Sequence, residues 1–560
     1  LLGGPARYHF QTNSRSAEVM AQVPDDGATF DYIIVGGGSA GCVLANRLSE
    51  RSSRKILLIE SGPAARHPLI AMPKGLASIL KKPRYAWHFN VPGQEGGIVP
   101  REVWAKGRTL GGSSSVNAMV YTCGHPDDYA AWAAIGGSAW GWPAMQAAFG
   151  RVRAACERLR ERPLTGAGSN GRSAPATPLG EAFIRAGEEA GLPRRDDVVF
   201  AYDGVAYHSY AIGYGRRISA ARAYLEPARA RPNLTIVTAC EVERVVFAGR
   251  RAVGVAVRQN GARRIYNCSA EIILAAGAIM SPKILQLSGI GDRDHLLDVG
   301  VDLLVHSPKV GVDLQDHLGV ALQYRLLKHG GLNRDLSGAR LVLAAARYAL
   351  SRSGPLSTGL YEVGGFFRTS LHKSRPDGQL SIGSFCFARD ARGRVAPQLG
   401  LASEPGVSIY GQFLQPTSKG TVRIVRPDPS AAPDIQPNWL ATGEDMEGTA
   451  GVMRFIDAVM RQPALAGVVG SIIGEEPPSD DGKLPAYLRG IVSCGQHTVG
   501  TCRLGADEAA VLDPQLRVRG IDGLRVADCS AMPGLVSSNT NAAAMAFAEL
   551  AAEHILLERP

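Results

Sequence analysis

The stretch CGQHTVGTCRLG, residues 494–505, sets His497 among glycines, two cysteines and an arginine. Three chemistries are open to such a set: a metal site, a reactive thiol, or an imidazole that moves a proton. Zinc sites draw on paired ligands at short spacing. Cys494, His497 and Cys502 have no second pair, and the nine cysteines run from Cys42 to Cys529 without a single C-x-x-C. An odd, scattered set is no disulfide framework either, so reduced and mostly buried thiols are expected, and no metal. Cys494 and Cys502 are then packing residues beside a proton-handling one. His497 is one of twelve histidines, but Gly495 and Gly500 flank it, and a glycine loop lets backbone pass close to a flat ligand. An imidazole titrating near neutrality is suited to take the proton of a hydroxyl.

A second group of chemistry-bearing residues lies about forty positions on. SSNTNAAAMAFAELAAEHILLE, residues 537–558, carries a 3.6-residue period from about residue 542, with Asn539, Thr540 and Asn541 at the mouth of the helix it predicts. A helix N-terminus offers unpaired N–H groups and partial positive charge, which favour an anion placed against it. Capping accounts for one of the two asparagines.

Near the other end, FDYIIVGGGSAGCVLANRLSE (30–50) is an apolar run, a glycine turn and a helical pattern. Gly36 allows the tight turn and Gly38 lets backbone approach a pyrophosphate. Gly41 lets helix and strand pack closely, while the first N–H groups of the helix, at Ser39, Ala40 and Gly41, face the phosphates. The next apolar run, KILLIE, ends in Glu60, nineteen residues after Gly41, where an acid accepts both ribose hydroxyls of an adenosine and repels a 2′-phosphate. Dinucleotide binding follows, and NAD and FAD both satisfy it. GRTLGGSSSVNAM (107–119) adds a small, polar, backbone-exposing loop suited to a flat hydrogen-bonding ring or a second phosphate.

GRTLGGSSSVNAM resembles the first signature of the glucose-methanol-choline (GMC) oxidoreductases, and GAIMSPKILQLSGIG (277–291) the second. The likeness continues through VGVDLQDHL (310–318), GPLSTGLYEVGGFFRT (354–369), SKGTVRI (418–424), HTVGTCRLG (497–505) and the 524–552 segment, covering the chain from about residue 30. The resemblance implies FAD and a fold of the α/β class: a Rossmann-type lobe assembled from discontinuous segments, plus an α+β substrate lobe whose mostly antiparallel sheet roofs the flavin. It places Glu60 on the adenosine ribose and the backbone of Val242 at the adenine. Arg108, Gly111, Gly112, Ser113, Asn117 and Ala118 would lie along the pyrophosphate and isoalloxazine, with Ala276, Asp528 and Thr540 completing the surroundings. Some members tether FAD through a histidine at the position of Val116, so a non-covalent flavin is expected here. The catalytic pair falls on His497 and Asn541. His497 would accept the O–H proton of an alcohol, flavin N5 the α-hydride, and Asn541 would orient the substrate oxygen. A hydroxynitrile lyase and a light-driven decarboxylase are known on the same scaffold and stand as alternatives.

At 560 residues the chain exceeds what one hydrophobic core can organise. The expected division is a tail (1–29), three flavin-lobe segments (30–154, 223–312, 491–560) and two substrate-lobe segments (155–222, 313–490). The tail shows no period, and Met20 sits where a start could be. Residues 155–180, rich in Arg, Pro, Gly and Ser, predict an irregular crossing. NLTIVTACEVERVVFAGRRAVGVAV (233–257) predicts a β-meander and EIILAAGA (271–278) a buried strand. Residues 335–352 predict a helix, and LSIGSFCFA, GVSIYGQFLQ and GTVRIV strands of the roof. RYAWHFN (84–90) and SFCFARDARGR (384–394) are candidate pocket walls whose aromatics suit an aryl or furanic primary alcohol, with O2 or a quinone-like acceptor taking the electrons. The net charge of +10 is scattered rather than gathered, which disfavours nucleic acid, and no run spans a bilayer. A cytoplasmic protein is expected.

Overall fold

A computed structural model describes residues 24–93, 101–160, 177–328, 331–390, 395, 399–480 and 482–558. The predicted tail (save residues 24–29) and most of the predicted crossing, 161–176, fall outside the described residues.

Two seven-stranded sheets organise the chain. In the first, Thr29–Val35 is central and runs parallel to Ile56–Ile59 on one side and to the end of Ala262–Leu274 on the other. Leu234–Val237 extends the parallel edge. The strand Ala262–Leu274 is long enough to serve two neighbours. Its first half pairs antiparallel with Arg251–Gln259, which pairs in turn with Cys240–Ala248, and its last residues pair in parallel with Leu524–Val526. The central strands are continuous apolar runs because both faces are covered: Ile33, Ile34, Leu57, Leu58, Ile272 and Ile273 are fully buried. The bidentate pair of Arg525 with Glu271, at 2.9 and 3.0 Å, ties the late strand to the early sheet.

The helix Ser39–Leu48 packs against the last helix, Asn541–Glu558. The last helix is buried on every side from Ala542 to Ala552, and its alanines allow that close approach. Glu549, at its centre, is buried but satisfied by Arg47, Arg151 and Tyr224.

The second sheet is antiparallel, in the order Val469–Ile472, Leu318–Leu326, Gly406–Phe413, Gly378–Gly383, Val363–Phe367, Gly204–Tyr207, with Ser493–Cys494 also paired to Leu318–Leu326. One predicted roof strand is not in it. Gly420–Arg423, in GTVRIV, pairs with Val312–Leu314 and Asp434–Gln436 in a separate three-stranded sheet, because Pro416 and the polar residues after Phe413 turn the chain away from the roof. The predicted helix at 335–352 forms over Gly338–Ser351. Among the described residues no helix is long and apolar enough to cross a membrane.

Candidate active site

The two sheets face one another across a cavity of ≈ 440 Å³, within the range usual for cofactor and substrate sites. Its floor is the glycine turn. Gly36 has φ +105°, and a Cβ on it would lie 2.6 Å from the Ala275 carbonyl oxygen. A Cβ on Gly41 would lie 1.9 Å from the Gly36 carbonyl oxygen, so the helix seats on the strand only through glycine. A Cβ on Gly112 would meet Gly38 Cα at 2.7 Å, which brings the serine loop directly over the turn. Gly36, Gly38, Ser39, Ala40, Glu60, Gly112, Ser113, Asn117, Ala118, Val242, Ala276, Asp528, Thr540 and Val116 all line the cavity. Glu60 is held by the N–H groups of Gly37 and Gly62 at 2.9 and 2.8 Å. Burial pushes its carboxyl up, and those two N–H groups pull it back. Asp528 accepts from Gly277 N–H, Ser281, and both the N–H and hydroxyl of Ser530 at 2.6–2.7 Å.

Three expected cofactor contacts, Gly41, Arg108 and Gly111, are not on the cavity wall; Gly41 instead seats the helix against the glycine turn. The Arg108 guanidinium lies over the Trp87 ring at 4.1 Å and 3.6 Å from Glu241, stacked on and ion-paired with two residues that themselves line the cavity. Gly111 lies behind the wall, its N–H donating to the Gly37 carbonyl at 2.7 Å and its φ of +86° making the turn.

At the far end, His497 reaches the cavity from the glycine loop, and its partner is Asn539. Asn539 Nδ2 donates to His497 Nε2 at 3.1 Å. Asn541, expected beside His497, instead accepts from the Ser39 hydroxyl at 2.9 Å, at the mouth of the first helix. The reason is geometric: Asn541 is the first residue of the last helix, which packs on Ser39–Leu48, whereas Asn539 lies in the turn before it. Asn539 Oδ1 accepts from Gln379 of the roof at 3.3 Å and from Thr122 at 3.5 Å.

The hydrogen-bond chain behind His497 decides its tautomer. An amide NH2 only donates, so Nε2 of His497 is the bare nitrogen and Nδ1 carries the hydrogen. That hydrogen points at His317 Nδ1, 2.9 Å away. His317, fully buried, therefore carries its own hydrogen on Nε2, which faces the main chain of Leu414 and Val536 without a well-formed bond. Burial lowers the His317 pKa to about 3 and, with repulsion from His317 and Lys106, holds His497 well below the ordinary histidine value. Both rings are neutral at pH 7.

The loop itself is pinned by Asp316. One oxygen accepts the His497 main-chain N–H at 2.7 Å and the other the Cys494 thiol at 2.7 Å. Burial, and next the Asp316 charge, push that thiol up, so it stays protonated and donates. Cys494 is therefore more than a packing residue: it holds the carboxylate that holds the loop. Cys502 is fully buried. In the sequence Asp316 and His317 stand within VGVDLQDHL and Asn539 stands two places before Asn541 at the same helix mouth, whereas Gln379 carries no local signal of a site role.

A glycine-turn dinucleotide floor, a serine loop over it and a neutral histidine beneath an antiparallel roof define a flavin-dependent oxidoreductase. The GMC oxidoreductase family model matches residues 30–319 for the N-terminal part and 416–548 for the C-terminal part, and the chain belongs to that family. It is 36% identical to an alcohol dehydrogenase [acceptor] of Pseudomonas putida over 94% of this chain and 96% of that one. It is 35% identical to the mitochondrial choline dehydrogenase of Homo sapiens, over 97% and 93%. Among solved structures, pyridoxine 4-oxidase from Mesorbium loti superposes with TM-score 0.80 at 30% identity, over 94% and 99%. The chain is thus an FAD enzyme that oxidises CH–OH donors.

Proposed function

We propose that the protein oxidises a primary alcohol to its carbonyl compound, with His497 as the base that takes the hydroxyl proton. One observation carries the reading: a neutral imidazole presents its bare Nε2 into the cavity beside an amide that holds it, 3.1 Å away. Bound FAD supplies a two-electron acceptor for the hydride on the carbinol carbon. The chain's own residues do the rest. Gly36, Gly38, Ser39, Glu60, Gly112, Ser113, Asn117, Val242, Asp528 and Thr540 would hold the cofactor, Gly41 seats the helix that carries Ser39, and Val116, an unreactive side chain on the cavity wall, supports non-covalent attachment. Asn539 donates to the substrate oxygen as the proton leaves for His497, and Gln379 keeps that amide's oxygen turned away. His317 receives the Nδ1 hydrogen bond and so keeps Nε2 unprotonated. The N-terminus of the last helix, at Asn541, adds positive potential at the cavity floor.

Aromatic residues Trp87, Phe89, Tyr361 and Tyr410 on the wall support an aryl or furanic alcohol, in keeping with the ring alcohol named by pyridoxine 4-oxidase. The acceptor is O2 or a quinone-like molecule. The test is anaerobic mixing of the yellow protein with a panel of primary alcohols. Bleaching of the flavin band is expected, and His497→Ala should slow it by about 10²–10⁴-fold with FAD still bound. Equal reduction in the variant removes the assignment, and cyanide release or light-dependent CO2 release replaces it with the lyase or decarboxylase.

A further inference from the structure

The roof carries polar groups that the proton-transfer chain does not use. In the roof register Gln379 stands opposite Gln412 and Ser381 opposite Tyr410. Alternation puts all four on one face, with directly opposed Cβ atoms about 4.5–5.5 Å apart. Gln379 reaches Asn539, which fixes that face above the reacting end. Ser381 and Gln412 are 8% and 5% exposed and both line the cavity.

Each side chain keeps hydrogen-bonding capacity that the protein does not use. Gln412 Oε1 is buried with no hydrogen-bond partner, and a buried amide oxygen left so costs stability unless something fills the need. Ser381 Oγ sits 2.9 Å from Nε2 of His208, itself 2% exposed. His208 Nδ1 has no partner. A buried unpaired N–H costs more than an unpaired lone pair, so the hydrogen is on Nε2 and donates to Ser381 Oγ. Burial keeps this ring neutral, with its pKa near 4. The Ser381 hydroxyl hydrogen is then free to donate into the cavity while Gln412 Oε1 is free to accept. The space is deliberate: a Cβ on Gly364 would meet the His208 ring at 2.1 Å.

Among the described residues no acidic side chain stands on this face; the carboxylates that act on Tyr410 are Asp316, spent on the His497 main-chain N–H and the Cys494 thiol, and Glu102, which accepts from the Cys494 N–H. The acids on the described cavity wall are Glu60, Glu241 and Asp528, none on the roof sheet. Beside the roof strand, Glu362 spends its oxygens on Thr177 and Ser384, off the wall. The neighbouring roof position, Gly319, is bare and filled by the Tyr410 phenol, and Lys106 adds a positive charge to the wall.

We propose that Ser381 and Gln412 form a recognition subsite for a second, uncharged hydrogen-bonding group of the alcohol, a hydroxyl, ether or carbonyl oxygen or a ring nitrogen, and that this face selects against quaternary ammonium alcohols. This rests on the reading of the cavity as the place of alcohol oxidation. A site built to hydrogen-bond a polar group rejects the analogue that lacks it far more strongly than an apolar pocket rejects an extra methylene.

The experiment measures anaerobic flavin reduction with isosteric pairs: 3- and 4-hydroxybenzyl alcohol against the matching methylbenzyl alcohols, 1,6-hexanediol against 1-heptanol, and choline against 3,3-dimethylbutan-1-ol. In the wild type the uncharged polar member of at least one pair should be favoured by about tenfold or more in reduction efficiency, and choline should lose to its neutral isostere. Ser381→Ala and Gln412→Leu should each bring the favoured pair's ratio toward one. The ratio is taken within one variant, so a general loss of stability or cofactor does not move it, and the wild-type panel stands without any variant. Preference for the apolar members, a choline preference, or ratios that survive both substitutions overturns the subsite while leaving the base intact. Unchanged reduction in His497→Ala overturns the base instead.

Discussion

A histidine that must accept a proton needs one nitrogen bare and facing the donor, and in this protein two neighbours enforce that. Asn539 can only donate to Nε2, and His317 receives the hydrogen on Nδ1. His317 does not line the cavity, so it acts as a positioning residue. Its removal should lower the flavin-reduction rate by about 10–10²-fold, the range of a lost orienting partner. His317→Asn, whose Oδ1 can take the same hydrogen, should restore most of the rate; equal losses in Ala and Asn variants would leave His317 a packing residue. The pH profile gives an independent readout. The His497 pKa is lowered by burial first, so the base stays free as pH falls below 6.5 and the wild-type rate should hold on the acid side. In His317→Ala, water and lost repulsion should move the acid limb up in pH. The two asparagines separate in the same assay: Asn539→Ala should slow reduction about 10–10²-fold with FAD retained, whereas Asn541→Ala, which loses the Ser39 bond, should weaken FAD retention more than it slows reduction. The reverse pattern would return the catalytic role to Asn541.

Elements were legible in the sequence where one local pattern determines them. The strand, glycine turn and helix at 29–48 need only local sterics, and the last helix only its alanine period. The exchange of Asn539 for Asn541 shows where such reading ends. Both stand at one helix mouth, and which one meets His497 depends on how that helix docks on Ser39–Leu48, a contact between segments some 500 residues apart. GTVRIV looks like any roof strand, because alternation marks a strand and says nothing of its partner. His317 and Asp316 were hidden for a related reason: a buried polar residue in a strand-flanking loop declares its role only through what it faces. At this scale the glycine turn makes the sharpest prediction. Gly41→Ala would set a Cβ 1.9 Å from the Gly36 carbonyl oxygen, a main-chain atom that cannot swing aside, so helix and turn must part. The variant should be purified colourless or with strongly reduced flavin content by absorbance, while Gly443→Ala, where nothing lies within 4 Å of the new atom, should be yellow. A fully yellow Gly41→Ala protein would show that the close seat is dispensable.

Across the whole molecule, the cavity wall is drawn from both sheets: Gly36, Glu60 and Ala276 from the nucleotide side, Ser381, Tyr410 and Gln412 from the roof, and His497 and Asn539 from the closing segments. A ligand seated there bridges parts of the chain that also meet through contacts such as Asp316 with His497 and Gln379 with Asn539. Binding energy for FAD is therefore also energy that holds the two sheets together. A ligand that binds only the folded state adds RT ln(1 + [L]/Kd), about 2.7 kcal/mol at a hundredfold excess over Kd. Stripping FAD should accordingly lower the apparent Tm by several degrees at a fixed scan rate, and added FAD should restore it in a concentration-dependent way. Hydrogen exchange locates the effect. In the stripped protein, protection should fall at the His497 loop, the 112–118 loop and the Gly378–Gly383 strand, while Ile33–Val35 and Ile272–Leu274, buried on both faces, keep theirs. If protection fell uniformly instead, the cofactor would be stabilising the chain as one cooperative unit, and its role as a bridge between two separately packed sheets would be wrong.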